Sequence, residues 1–444
     1  MASSITILDV LVEDIRVPTS DSLLGSDPFH RKPDYSAVVI TLKTDTGLEG
    51  NSVVFNLGAG NNWIAFGVID LASLLKGRTL AEFVHSPAKL HQLMMEHHQM
   101  RWLADGVFRM ATGGLVNAFW DLWAKSENKP LWELLADLSP EAIVSCIDWR
   151  YLRDALTPDE ALDILRNARP GVTQRKAQMR ESGPAAYSTS GWLGLDDSQI
   201  CDHIKSLQQQ GFRHFKSKVG SNLKQDIDRL DFLRQLIGDD SHLMIDANQI
   251  WGVDEAIEWM QQLKGYRPYW IEEPTARDDV LGYIKIREKM KHWNIGVAAG
   301  EQVPSPVIFK QLLKSGALTH CQIDATRLAG VNDVMAVILI AAKYGIPVCP
   351  HGGGIGLCNM VQHYSLWDQI AVSAQYDNRF VEYLDFLQDD VFKNPVAVHK
   401  GHYVTPEQPG WGLEMKPEFI KQFRFPTSPV WSSRSGPIGA LFLA

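Results

Sequence analysis

From about residue 185 onward, short apolar runs alternate with longer segments in which apolar residues recur every three or four positions. The short runs are "AAYSTSGWLG", "HFKSKVG", "LMIDAN", "YWIEEP", "GVAAGEQ", "HCQIDAT", "PVCPHG" and "FVEYLD", each of strand length and β-rich composition. Between them, "QDIDRLDFLRQLIG" sets Ile227, Leu230, Leu233 and Ile237 on one helical face, and "DEAIEWMQQLKG" opens on acids and closes at Gly265. Strands alternating with helices in this way predict an α/β fold, a (β/α) barrel. A doubly wound open sheet is the alternative, but no GxGxxG follows a first strand.

The first 140 or so residues have a different texture. "YSAVVITLKTDTGLEGNSVVF" is a hairpin pattern around a Thr-Gly turn, and "GGLVNAFWDLWAKSENKPLWELLADL" is an aromatic-rich helix broken near Lys129 and Pro130. This predicts an α+β module over residues 1–140, then a connecting segment over 141–183. Within the connection, "RNARPGVTQRKAQMRESG" lacks apolar periodicity and reads as a linker or surface excursion. The barrel pattern then occupies 184–385, leaving a C-terminal segment from 386 to 444.

A chain of 444 residues with 45% hydrophobic composition can bury a large core in two or so domains. Its net charge of −9, with lysines and arginines scattered, argues against a nucleic-acid or anionic-membrane partner and for a small molecule. Five cysteines (Cys146, Cys201, Cys321, Cys349, Cys358) form no CxxC or Cys/His cluster, which argues against zinc and disulfides and fits a reducing compartment. The opening "MASSITILDVLVEDIRVPTS" carries acids where a signal peptide is basic, and no run of about 18 apolar residues occurs. These features place the expected location in the cytoplasm.

The strand ends carry the chemistry. Counting from Lys218, ionisable residues follow at Asp246, Glu272, Glu301, Asp324, His351 and Glu382, at intervals of one βα unit each. A barrel gathers the carboxyl ends of its strands around one mouth. Any one of these acids, taken alone, is more often a helix cap or a solvated charge; six successive units make that coincidence improbable. Asp246, Glu272 and Glu301 would repel one another without a cation between them, and hard oxygen donors suit Mg²⁺ better than zinc. Strand alternation selects Glu272 over Glu273, and puts Asn248 on the same side as Asp246.

Lys216 and Lys218 share one face of their strand and would meet an anionic substrate from one side, with His351 on the other. A neighbouring ammonium and a cation both favour a neutral amine, which makes Lys218 the candidate base. Asp324 is placed to orient His351 and keep it protonated. Base, cation and acid in this order fit removal of a proton α to a carboxylate.

With "KSK", "DAN", "WIEEP", "GEQ", the Asp324 and His351 pair, "NAFWDLWAKSENKPLWELL" and "PGWGLEM", the chain resembles the mandelate racemase-like subgroup of the enolase superfamily. Within that subgroup it is similar to the L-fuconate dehydratases, with the L-galactonate dehydratases near them. The resemblance implies a modified TIM-type (β/α)₇β barrel with an α+β capping domain, built from residues 1–140 and the returning segment 386–444. It implies Mg²⁺ at Asp246, Glu272 and Glu301. Lys218 would take the C2 proton of an acid sugar, and Lys216 would contact the carboxylate. His351, paired with Asp324, would protonate the departing 3-hydroxyl, and Glu382 would hydrogen-bond the substrate carboxylate or the enediolate. The product would be a 2-keto-3-deoxy acid sugar, and the protein a homo-oligomer.

Departures from the dehydratase pattern fall at Ala59, Leu103 to Val107, Ser217, Ile250, Gly252 and Arg277, positions suited to substrate choice rather than chemistry. Candidate substrate contacts are Asn248 and, from the cap, Phe29, His30, Arg101 and Trp102. Arg101 serves equally in a surface ion pair, and Trp102 in interdomain packing. Two other readings stay open: a racemase or epimerase using the same lysine and histidine, and a silent barrel kept for binding. The apolar tail, "SSRSGPIGALFLA", has no assigned role.

Overall fold

A computed structural model describes residues 5–434. Three antiparallel strands, β1 (Ile7–Arg16), β2 (Ser36–Thr44) and β3 (Glu49–Asn56), form the first sheet in the order β1-β2-β3. The hairpin read at the Thr-Gly turn is the β2-β3 pair. The long helix Val107–Ser126 lies against this sheet, so closely that a Cβ on Gly50 would stand 2.3 Å from the Ala118 carbonyl. Glycine is the residue that permits this approach.

The second sheet is built from parallel strands β4 (Ala185–Gly191), β5 (His214–Lys218), β6 (His242–Asp246), β7 (Trp270–Glu272), β8 (Gly296–Ala299) and β9 (His320–Cys321), each paired with the next. A further strand, β10 (Phe380–Tyr383), pairs in parallel with β4. "PVCPHG" is not a regular strand, yet its backbone fills the gap. Cys321 N–H donates to Pro347, Cys349 N–H to Cys321, His351 N–H to Ile323 and Glu382 N–H to Pro350. Backbone hydrogen bonds therefore run round the full circuit of eight parallel segments, with helices between them, as the (β/α)₇β barrel expectation requires. Tyr187, Met244, Trp270, Ala298, Cys349 and Phe380 fill the interior as one buried cluster.

The stretch read as a linker near Arg166–Gly183 is instead helical, in Pro158–Ala168 and Val172–Ser182. The second of these has no apolar stripe to betray it. It is held by charge: Lys176 pairs with Glu133 and Asp137, and Arg180 with Glu133, both over the Trp132 ring. The C-terminal segment returns to the first sheet, where Phe425 N–H donates to Asp14 and Arg424 pairs with Glu13. Of the apolar tail, residues 435–444 lie outside the described residues. Among the described residues no helix is long and apolar enough to cross a membrane.

Candidate active site

The strand ends converge. Lys218 ends β5, Asp246 ends β6 and Glu272 ends β7, all in register across the sheet, since Lys218 pairs with Asp246 and Asp246 with Glu272. Asp246, Glu272 and Glu301 are buried and each offers an oxygen within 4.8 Å of the others. Lys216 Nζ lies 2.8 Å from Glu272, 3.0 Å from Glu382 and 3.6 Å from Asp246, while Lys218 Nζ is 2.6 Å from Asp246. His351 Nδ1 is 2.8 Å from Asp324, and its Nε2 is 3.3 Å from Glu301. Glu382 accepts from Thr189 Oγ1 at 2.6 Å and from the Gly352 N–H at 3.0 Å.

Charge balance tells what the group lacks. Five buried carboxyl groups (Asp246, Glu272, Glu301, Asp324, Glu382) face three basic side chains (Lys216, Lys218, His351). Burial and the neighbouring Asp246 push the Glu272 carboxyl up to about 8, against the pull of Lys216. A compact set of three oxygen donors in a site with excess negative charge fits a hard divalent cation. Glu273 turns away from the triad at a φ of 40° and accepts from Gln249 Nε2 at 2.9 Å, in keeping with strand alternation.

Lys218 and His351 carry distinct shifts. Burial pulls the His351 imidazole down, but Glu301, Asp324 and Glu382 outweigh it and raise it to about 10. Lys218 departs from expectation. Burial and Lys216 lower it, yet the Asp246 carboxylate raises it above its ordinary value, so the ammonium form holds in this arrangement. Its nitrogen also lies 5.2 Å from the centre of the Trp192 ring.

A cavity of about 250 Å³ opens above these groups, and Lys218, Asn248, Glu301, Asp324, His351 and Glu382 reach it. Lys216, fully buried, does not line it. Of the cap-side candidates, His30 lines the cavity, with its Nδ1 3.0 Å from Asp27. Phe29, Arg101 and Trp102 do not. Phe29 and Trp102 point to solvent, Trp102 at 97% exposure, and Arg101 donates to Tyr151 on a separate cavity. Sequence reasoning missed Asp27, Tyr35, Phe55, Leu57, Trp192 and Arg327, which complete the walls. The Asp-x-x-His spacing of Asp27 and His30 was the available sign. Arg327, three residues past Asp324, meets Gln302 at 3.3 Å.

Among the departures, Ala59 lines the cavity, Arg277 reaches Gln302 from the exposed side, and Ser217 packs against Gly191 outside it.

Residues 28–136 match the "Mandelate racemase / muconate lactonizing enzyme, N-terminal domain" family, and residues 199–419 match "Enolase C-terminal domain-like". Mitochondrial enolase superfamily member 1 of Homo sapiens is 43% identical over 425 residues, spanning 95% of this chain and 96% of that protein. L-galactonate dehydratase of Hypocrea jecorina is 41% identical over 430 residues, spanning 96% and 95%. The crystal structure of the human protein superposes with a TM-score of 0.95, at 41% identity and over 100% of both chains. L-talarate/galactarate dehydratase from Salmonella typhimurium, solved with Mg and L-lyxarohydroxamate, shares the fold at 20% identity and a TM-score of 0.72, over 95% of this chain and 93% of that one.

Proposed function

The chain belongs to the mandelate racemase/muconate lactonizing enzyme family of the enolase superfamily, and on that premise we propose that it is a Mg²⁺-dependent dehydratase of an acid sugar. One observation carries the proposal: a buried three-carboxylate group reaches, through Glu301, the same cavity that Lys218 and the His351–Asp324 pair line. The relative named L-galactonate dehydratase supports the reaction class.

Asp246, Glu272 and Glu301 would hold the cation. When bound, Mg²⁺ supplies positive charge to offset the substrate carboxylate and the electron density released at C2. Lys218 takes the C2 proton as the neutral amine, once its ion pair with Asp246 is given up and its own proton has passed to solvent. His351 Nε2, with Nδ1 fixed by Asp324, gives its proton to the 3-hydroxyl as the C3–O bond breaks and water leaves. The resulting enol takes up a proton at C3 to become the 2-keto-3-deoxy acid. Lys216, beneath the cavity, holds Glu272 and Glu382 in place instead of touching substrate, and Thr189 fixes Glu382 beside it. His30, its tautomer set by Asp27, and Asn248 contact the sugar hydroxyls.

We take L-fuconate as the first substrate to test, with L-galactonate and D-arabinonate beside it. Residues 184–385 would be the catalytic unit and residues 1–140 with 386–444 its cap; the free cysteines support a cytoplasmic setting. The test is 2-keto acid formation by purified protein with Mg²⁺ across these acid sugars, run beside Lys218→Ala. Turnover of at least one acid sugar that vanishes in the variant supports both reaction and base. Silence across the panel, with no exchange of the α-proton, would instead favour a barrel that only binds.

A further inference from the structure

The barrel has a second opening, on the face away from the strand ends that carry the catalytic groups. His242, Tyr269, Gly296 and His320 stand where β6, β7, β8 and β9 begin, and together they border a cavity of about 600 Å³. The helix Val280–His292 and the loops before β7 and β8 supply the rest of its wall.

The charge of that wall is one-sided. Arg267, Arg287 and Lys291 line it, and no aspartate or glutamate among the described residues does. This stands out in a chain whose net charge is −9. Arg267 has a partner in the exposed Asp239. Arg287 and Lys291 have no ion-pair partner among the described residues, and Arg287 is half-buried.

Helix electrostatics account for part of this. Basic residues in a last helical turn offset the partial negative charge of the helix end, and Lys289, Lys291 and His292 serve that purpose here. Arg287 lies a turn earlier and is partly withdrawn from water, so the helix end does not explain it. Taking a guanidinium out of water without a carboxylate is unfavourable unless an anion meets it. The neighbouring imidazoles add no charge of their own: burial pushes His320 down to about 3, with Arg287 contributing, and also lowers His242. Asn294 also lines the cavity and brings a side-chain amide to it.

We propose that this cavity, formed by Arg267, Arg287 and Lys291 at the amino ends of β6 to β9, is a binding site for a small organic anion carrying two or more negative charges. A guanidinium fork takes phosphate and carboxylate oxygens alike, so phosphate esters and polycarboxylates share the required chemistry. The site is separate from the catalytic cavity and shares no lining residue with it.

The test is calorimetric titration of the Mg²⁺-loaded full chain with inorganic phosphate and, separately, tricarballylate, at fixed ionic strength against a chloride control. One saturable site per chain is expected. Arg287→Ala should weaken it by about tenfold or more, Lys291→Ala should weaken it measurably, and Lys218→Ala should leave it unchanged. Lys291 is exposed, so its substitution leaves the fold intact and keeps the test valid if Arg287→Ala is unstable. Binding of phosphate alone assigns the site to phosphate esters, and of tricarballylate alone to polycarboxylates. No saturable binding of either probe, or binding that survives both Arg287→Ala and Lys291→Ala, overturns the proposal.

Discussion

Asn117, fully buried in the helix Val107–Ser126, clamps the loop that brings Asp324, Thr326 and Arg327 to the cavity. Its Nδ2 donates to the Ala325 carbonyl at 3.0 Å, and its Oδ1 accepts the Val331 N–H at 3.1 Å. Asn117→Ala leaves both backbone groups buried without a partner. Each unsatisfied group costs about 1–3 kcal/mol, so the pair should cost about 2–6 kcal/mol of stability. The loop also carries Asp324, whose 2.8 Å contact sets the position of His351. Misplacement by about 1 Å can cost on the order of 10²-fold in rate, so kcat should fall with KM little changed. Urea unfolding followed by tryptophan fluorescence and steady-state kinetics on the same preparation measure both effects. A stability loss below about 0.5 kcal/mol, the scatter of ordinary surface substitutions, would refute the clamp. Lost stability with unchanged kcat would refute its link to the Asp324–His351 pair.

Three other outcomes are expected. Glu272→Gln removes one charge from the triad and should weaken Mg²⁺ binding by about 10²-fold or more in a calorimetric titration; unchanged affinity would remove Glu272 from the ligand set. His320 and His363 are buried and held neutral, each pushed down from 6.5 to about 3. The unfolded chain therefore binds protons that the folded chain cannot, so stability is full above about pH 6.5 and falls as pH drops toward 3. At pH 5 the loss is about 2 kcal/mol per imidazole, and His363→Asn should flatten that slope in a urea series. Gly50→Ala forces a Cβ to within 2.3 Å of the Ala118 carbonyl and should cost at least about 1–3 kcal/mol, read as a lower thermal midpoint.

The candidate site residues were legible because barrel geometry turns a sequence interval into a place. Lys218, Asp246, Glu272 and Glu301 sit one βα unit apart, and their register follows from the pairing of parallel strands. Period-two alternation separates Glu272, whose oxygen joins the triad, from Glu273, which bonds Gln249. The cavity walls were harder to read. Asp27 and Leu57 come from cap loops, where no period links position to direction, and Phe55 comes from the end of β3, in a different domain from the strands that were read for chemistry. Arg101 and Trp102 were misread for the same reason: a short turn aims them away from the cavity, and Arg101 bonds Tyr151 instead. The helix Val172–Ser182 was illegible because its stability lies in Lys176 and Arg180 meeting distant acids, a pattern no apolar stripe announces. The state of Lys218 depended on a 2.6 Å contact with Asp246 that spacing alone does not weigh against Lys216.

The most direct test of the account is where solvent deuterium goes. Mg²⁺-loaded protein is incubated in deuterated water with whichever acid sugar it turns over, and the product is examined by proton and deuterium NMR. Dehydration predicts loss of the 3-hydroxyl, a ketone at C2 and one solvent deuteron at C3. Deuterium at C2 with the 3-hydroxyl retained would contradict it and make the same lysine and histidine the machinery of a racemase or epimerase.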